Sequence, residues 1–211
     1  MKVVYVNRET PDTIVFRLDG QMDYLPGQFV MLECQVDGET YRRAYSIASS
    51  PTEPYLELCV KQMENGVVST FLQHVQVGDE FKVTGPYGKF VYDGQGDILL
   101  LGAGSGIAPF RSIAKCLTDE QMNVNCTVVS SHKTQKDLIY HTEFSDLDIT
   151  YVPTVTRGEW SGRTGRVDQA LIDQYCTKDT HVFLCGPKEF VFAMKEMLNV
   201  PNDQVHMEVY G

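Results

Sequence analysis

The chain has 211 residues, 43% hydrophobic and 22% charged, enough apolar surface for one large domain or two small ones. A net charge of −10 and a pI near 4.9 argue against nucleic acid and anionic membranes, which select basic patches. No apolar run approaches the ~20 residues of a membrane span. The N-terminal M-K-V-V-Y-V-N-R-E has no signal-peptide core. The six cysteines contain no C-x-x-C pair, which points away from zinc and iron–sulfur sites and toward reduced thiols in a cytoplasm.

Residues 2–7, 13–18, 28–36, 41–47, 55–61 and 80–84 are rich in β-branched and aromatic side chains. Turn signals such as Pro11-Asp12 and Pro26-Gly27 separate them. Strands this short and regularly spaced predict a small six-stranded antiparallel barrel, with one short helix at Ser69–His74. Within Y-R-R-A-Y-S-I-A-S-S, 41–50, alternation puts Arg43, Tyr45 and Ile47 on one face and Ala44, Ser46 and Ala48 on the other. An arginine beside a tyrosine and serines suits a phosphorylated aromatic ligand, or is an edge arginine on a surface strand. Gly66 before Ser69 marks a helix start, as an anion site or as a simple cap. Gly85–Phe90 reads as a turn, and 92–96 as a linker.

The stretch D-I-L-L-L-G-A-G-S-G-I-A-P-F-R-S, 97–112, divides the chain. Ile98–Gly102 reads as a buried strand, Gly102, Gly104 and Gly106 as a bend, and Pro109 as the opening of a helix over Ala108–Leu117. Such a bend is either a dinucleotide pyrophosphate site, served by free N–H groups and the helix dipole, or a tight strand-to-helix turn. Further strands are predicted at Asn125–Ser130, Ile149–Val155, His181–Cys185 and Val205–Val209. Helices fall between them near Lys136–Phe144, Asp168–Tyr175 and Lys188–Leu198. Alternation of this kind predicts a five-stranded parallel sheet with helices on both faces, and ligands at the carboxyl ends of its strands. Gly102, Ser130, Thr156 and Cys185 fall there. Ser130-Ser131-His132-Lys133 carries no acidic residue to bond a free ribose 2′-OH. A basic, hydroxyl-rich strand end suits a 2′-phosphate, hence NADPH rather than NADH.

Five segments carry a family resemblance: R-A-Y-S at 43–46, G-V-V-S at 66–69, G-P-Y-G-K-F at 85–90, G-A-G-S-G-I-A-P at 102–109 and C-G-P at 185–187. In this order they resemble the ferredoxin–NADP reductase superfamily over nearly the whole chain. The resemblance implies an FAD-binding barrel at 1–93 and a Rossmann-like NAD(P)-binding domain at 97–211. For the flavin it implies Arg43, Ala44, Tyr45, Ser46, Val60, Lys61, Gly66, Val67, Val68, Ser69 and Tyr210, with Tyr45 packed on the isoalloxazine and Ser46 near its N5. Asn65 stands where the family often has a second glycine; asparagine tolerates left-handed geometry. For the nicotinamide nucleotide it implies Gly102, Gly104, Ser105, Gly106, Ile107, Pro109, Ser130, Thr156, Arg157, Cys185, Gly186 and Pro187.

The resemblance also implies a catalytic group of Ser46, Cys185, Glu208 and Tyr210. Cys185 would lie by the nicotinamide. Glu208-Val209-Tyr210, followed by Gly211, resembles the family's E-V-Y ending, whose tyrosine stacks on the flavin. No metal is implied. The activity implied is hydride transfer between NAD(P)H and FAD, with electrons passed to a separate acceptor such as ferredoxin or flavodoxin. A diaphorase with a small-molecule acceptor and a non-catalytic flavin- and nucleotide-binding subunit of a larger complex are the alternatives. Arg42, Lys61, Lys82 and Lys89 are candidates for a basic docking patch.

Overall fold

The computed structural model describes residues 1–94 and 96–210; Gln95, in the expected linker, and Gly211 lie outside the described residues. The first half holds six strands: β1 Val3–Thr10, β2 Thr13–Leu18, β3 Phe29–Val36, β4 Glu39–Ser46, β5 Leu56–Lys61 and β6 Lys82–Tyr87, with helix α1 Val67–Leu72 before the last. They form two three-stranded sheets, β1-β2-β5 and β4-β3-β6, antiparallel throughout. Bridges Ile47↔Leu58 and Lys2↔Glu80 join the sheets at two corners. Asp37-Gly38 closes the β3–β4 hairpin with φ of 51° and 83°, the left-handed pair that matches strand twist in a two-residue loop. Phe16, Leu18, Val30, Leu32, Ile47 and Leu58 fill the space between the sheets.

Two local expectations are corrected here. Gly85–Tyr87 is not a turn but the end of strand β6. Pairing jumps from Met31↔Thr84 to Phe29↔Tyr87, so Gly85 and Pro86 together face the single residue Val30. A bulge on an edge strand accommodates a proline that has no N–H to give. Helix α1 begins two residues earlier than predicted, with Gly66 rather than Ser69 at its cap.

In the second half, β7 Ile98–Ala103, β8 Cys126–His132, β9 Thr150–Val155, β10 Arg163–Thr164, β11 His181–Pro187 and β12 Val205–Tyr210 form one sheet in the order β10-β9-β8-β7-β11-β12. Every pairing is parallel. The sheet has six strands rather than five, because the two-residue β10 adds an edge too short to leave a periodic signal. Along β7, Ile98 and Leu100 face one core while Leu99 and Leu101 face the other. Helices α2 Ala108–Asp119 and α3 His141–Asp146 cover the first face; α4 Gln169–Tyr175 and α5 Lys188–Met197 cover the second. Strand order reverses between β7 and β11, which fixes the crevice at their carboxyl ends.

The single helix expected near Lys136–Phe144 is instead a short 3₁₀ turn, Gln135–Asp137, followed by α3. Leu138, Ile139 and Tyr140 between them are all buried. Tyr140, at φ 55°, gives its N–H to Glu9 Oε1 at 2.8 Å. A long-range partner and core burial override the local helical pattern. Phe90 and Tyr92, at the end of the barrel sequence, pack beside Phe110 and Phe183 in a core that also takes in Val15, Ala48 and Cys59. The two halves thus share apolar surface. Among the described residues no helix is long and apolar enough to cross a membrane, and all six cysteines are free.

Candidate functional site

Register brings the strand-end residues into one row. Glu208 lies opposite Cys185, Cys185 opposite Gly102, and Gly102 opposite Ser130. The row crosses the sheet just below the switch point. Residues 83 positions apart in sequence, Gly102 and Cys185, become neighbours because β7 and β11 pair in parallel.

Strand β4 of the barrel meets this row at Ser46. Its Oγ lies 2.6 Å from Tyr210 Oη and donates to Glu208 Oε2 at 3.3 Å. The Cys185 thiol, fully buried, faces the same tyrosine hydroxyl. All four residues of the predicted catalytic group therefore form one cluster, contributed by both halves of the chain. Burial raises the Cys185 thiol, so it is a neutral sulfhydryl rather than a thiolate nucleophile. Burial also raises the Glu208 carboxyl, with the Ser46 hydrogen bond pulling the other way. Burial and the neighbouring Cys185 and Glu208 raise the Tyr210 phenol. Together the Ser46, Tyr210 and Glu208 groups can hold or exchange a proton.

The glycine-rich bend is a 3₁₀ turn, Gly104–Ile107, running into α2 with Pro109 in its first turn. Gly104 has φ 56°. A Cβ on Gly106 would stand 2.3 Å from the Cys185 carbonyl oxygen. The absent side chain at Gly106 thus serves the approach of β11, while Gly104 and Ser105 remain partly exposed at the bend. Ile107 and Pro109 are buried. Gly186, at φ 149°, packs against Ala103, and Pro187 beside it is exposed.

The remaining predicted residues are dispersed around this cluster. Tyr45 packs its ring toward the barrel core, on the same inner face as Ile47, so its aromatic surface is only partly open. Arg43 is exposed, donates to Arg42 O at 2.9 Å and lies 5.6 Å from the Tyr41 ring centroid; Ala44 is exposed beside it. Val60 and Val68 are buried in the barrel, whereas Val67 is exposed. Ser69 is no cap: its Oγ accepts from Met63 N at 3.0 Å and donates to Gly66 O at 3.2 Å. A Cβ on Gly66 would sit 2.4 Å from the Ser69 Oγ. Asn65 has φ 58°, the left-handed geometry expected of it. Ser130 is buried against Tyr151 Oη at 3.1 Å. Thr156 Oγ1 donates to His132 O at 3.2 Å, and the Arg157 N–H donates to Lys133 O at 2.7 Å, which sets two cationic residues side by side.

Arg42, Lys82 and Lys61 do not gather as one patch. Arg42 and Lys82 both lie opposite Glu33 in the sheet. Lys61 is on the other sheet, paired with Asp12 at 2.6 Å. Two surface hollows lie apart from this cluster: about 390 Å³ beside Glu33, Phe71 and Lys82, and about 240 Å³ beside Arg17, Glu57, Tyr140 and Glu143. Sequence reasoning missed the burial of His132, 4% exposed, and of Arg111, which lies between the halves. A charged residue on the apolar face of a helix was the available signal for Arg111; its partners lie too far away in sequence to be found.

Residues 1–92 match the model of the oxidoreductase FAD-binding domain and residues 100–196 that of the oxidoreductase NAD-binding domain. The glycine betaine monooxygenase reductase subunit of Chromohalobacter salexigens is 34% identical over 94% of this chain and 59% of its own length. The chain spans about three fifths of the length of the curated relatives it first matches. Ferredoxin–NADP reductase B of Sorangium cellulosum is 31% identical over 87% of this chain and 84% of its own. A ferredoxin NADP⁺ reductase from Neisseria gonorrhoeae, solved with FAD and NADP, superposes with a TM-score of 0.82 at 26% identity, over 99% of this chain and 96% of that one. With both domains in this order and the fold reproduced, the chain belongs to the ferredoxin–NADP reductase superfamily of FAD- and NAD-binding oxidoreductases.

Proposed function

We propose that this chain is a reductase in which NAD(P)H reduces FAD at the junction of the two halves, and that electrons then leave to a separate acceptor protein. The observation that carries the reading is the Ser46–Tyr210–Glu208–Cys185 cluster, which joins the end of a barrel strand to the carboxyl edge of the parallel sheet. When bound, FAD supplies the chemistry of accepting a hydride and releasing electrons singly. The protein's task is to bind, orient and exclude water. Ser46 offers a hydroxyl, the neutral Cys185 an apolar wall with a weak donor, and Tyr210 a ring that competes with nicotinamide for the same stacking surface.

The residues fit such a ligand pair. Arg43 has an exposed guanidinium available to a pyrophosphate. The opened bend at Gly104 and Ser105 suits a second pyrophosphate at the switch point. Domain limits of 1–93 and 97–211 go with this reading. Lys133 and Arg157, adjacent through main chain, favour NADPH over NADH. Likeness to a monooxygenase reductase subunit and to a ferredoxin–NADP reductase supports a ferredoxin, a flavodoxin or an oxygenase component as acceptor, in a cytoplasm. The test is oxidation of NADPH and of NADH by the purified, FAD-loaded chain with ferredoxin, flavodoxin or ferricyanide as acceptor. Turnover with a protein acceptor supports the reading. Turnover with ferricyanide alone favours the diaphorase alternative, and no turnover with any acceptor refutes both.

A further inference from the structure

Arg111 lies in the first turns of α2, five residues beyond Gly106, and its side chain is 2% exposed. Every donor of its guanidinium is engaged. Nη1 donates to the Ala48 carbonyl at 2.8 Å and to Glu53 Oε2 at 2.8 Å. Nη2 donates to Glu53 Oε1 at 3.2 Å and pairs with Glu143 Oε1 at 2.7 Å. Nε reaches Glu143 Oε2 at 2.9 Å and Glu57 Oε1 at 3.3 Å. The Tyr140 ring centroid is 5.3 Å from Cζ, and its hydroxyl donates to Glu57 at 3.1 Å. Arg17 pairs with Glu57 from the far side at 2.7 Å.

The cluster draws on three places. Ala48, Glu53 and Glu57 belong to the barrel, Tyr140 and Glu143 to the segment around α3, and Arg111 itself to the helix that continues the glycine-rich bend. Ala48 is two residues beyond Ser46 in the chain. One planar group thus ties the strand that carries Ser46 to the helix that carries the nucleotide bend, with a bidentate geometry that lysine cannot reproduce. We propose that Arg111 is a positioning residue, which fixes the separation and angle between Ser46 and the Gly104–Ile107 bend and so aligns nicotinamide with flavin. The inference rests on the reductase reading above.

Burial alone does not require this arrangement. A buried ion cluster adds little to stability, and apolar groups of similar volume often replace one at no loss. Alignment is more demanding, since a displacement of about 1 Å can cost about 100-fold in rate. Glu53 is held at about 2, its burial outweighed by hydrogen bonds and charge from Arg111, whereas burial raises the Glu57 carboxyl, so the Arg111–Glu53 pair is the part of the clamp that stays ionised.

The test compares wild type with Arg111→Gln, Arg111→Lys and Glu143→Gln, each loaded with FAD and mixed anaerobically with saturating NADPH. Arg111→Gln is expected to slow flavin reduction about ten-fold or more and to weaken the long-wavelength absorbance of stacked nicotinamide and flavin. Affinities for FAD and NADPH are expected to stay within about two-fold, and Arg111→Lys to recover part of the rate. In the unloaded protein, amide exchange at residues 46–48 and 104–110 is expected to quicken. Should Arg111→Gln fail to fold, Glu143→Gln, at the more exposed end of the cluster, is expected to slow reduction about two- to five-fold with the same spectral change. Wild-type rate and absorbance in the folded variants would overturn the proposal. A wild type reduced by neither NADPH nor NADH would remove the reductase reading, and this inference with it.

Discussion

The hydroxyls of Ser46 and Tyr210, 164 positions apart in the chain, stand 2.6 Å from each other. The contact pins the last described residue of the sheet to the last residue of a barrel strand. Its ring packs on the core shared by the two halves.

Tyr210→Ser should let NADP⁺ bind more tightly while lowering kcat, because the ring no longer competes for the flavin face and product leaves more slowly. Tyr210→Phe keeps the ring and loses only the hydrogen bond, worth about 0.5–1.5 kcal/mol, so its affinity should stay near wild type. The check is an NADP⁺ titration followed by flavin absorbance. Superimposed curves for wild type and Tyr210→Ser would leave the ring no role over the flavin.

Arg43→Ala should loosen FAD. A hydrogen bond to a charged group contributes about 1.5–3 kcal/mol, so affinity should fall ten-fold or more. Because Arg43 is exposed, donates to its neighbour's carbonyl and otherwise lies over the Tyr41 ring, folding stability should hardly change. Equilibrium dialysis of flavin beside a melting curve separates the two effects, and unchanged affinity would remove Arg43 from the site.

Gly106→Ala should destabilise the second half. The added Cβ would meet the Cys185 carbonyl at 2.3 Å, and backbone cannot rotate aside as a side chain can. The cost should reach the upper end of the about 1–3 kcal/mol of overpacking, lowering Tm by several degrees. Nucleotide affinity should fall with it, since the bend and β11 move apart. A variant with wild-type Tm would show that the two strands separate freely there.

His132 supplies a pH dependence. Burial pushes its imidazole down from 6.5 to about 4, helped by the nearby Lys61 and His141 and opposed by Asp137. The unfolded chain takes up a proton near 6.5 that the folded chain refuses until about 4, so stability falls as pH drops through that window and is intact above it. The loss approaches about 3 kcal/mol. His132→Phe should remove this component, so that the urea midpoints of variant and wild type converge or cross between neutral pH and pH 4. Parallel midpoints across the range would mean that His132 takes up its proton as readily in the folded chain as in the unfolded one.

Much of this molecule is legible in its sequence because its signals are local. Alternation in 41–47 gives the facing of Tyr45 and Ser46, and the glycines with Pro109 mark the strand-to-helix bend. Glu208-Val209-Tyr210 is recognised as a motif, although its bond to Ser46 exists only once β12 has paired with β11. The rest failed where distant residues decide. Gly85-Pro86 has the composition of a turn, but pairing with β3 makes it a bulge. Leu138–Tyr140 has a helical pattern, but Glu9 and the core bend it out of the helix. Arg111 reads as one more residue in a helix until three carboxylates and a carbonyl from elsewhere converge on it.

The central claim is that nicotinamide nucleotide reduces FAD across the Ser46–Cys185 junction. It is tested most directly by anaerobic single-turnover mixing of the FAD-loaded protein with NADPH, in wild type, Ser46→Ala and Cys185→Ala. The account predicts rapid bleaching of the flavin band in wild type, and in each variant a rate lowered about ten-fold or more with little change in the NADPH concentration at half-maximal rate. Bleaching at the wild-type rate in both variants, or a flavin that NADPH and NADH leave oxidised, would contradict it.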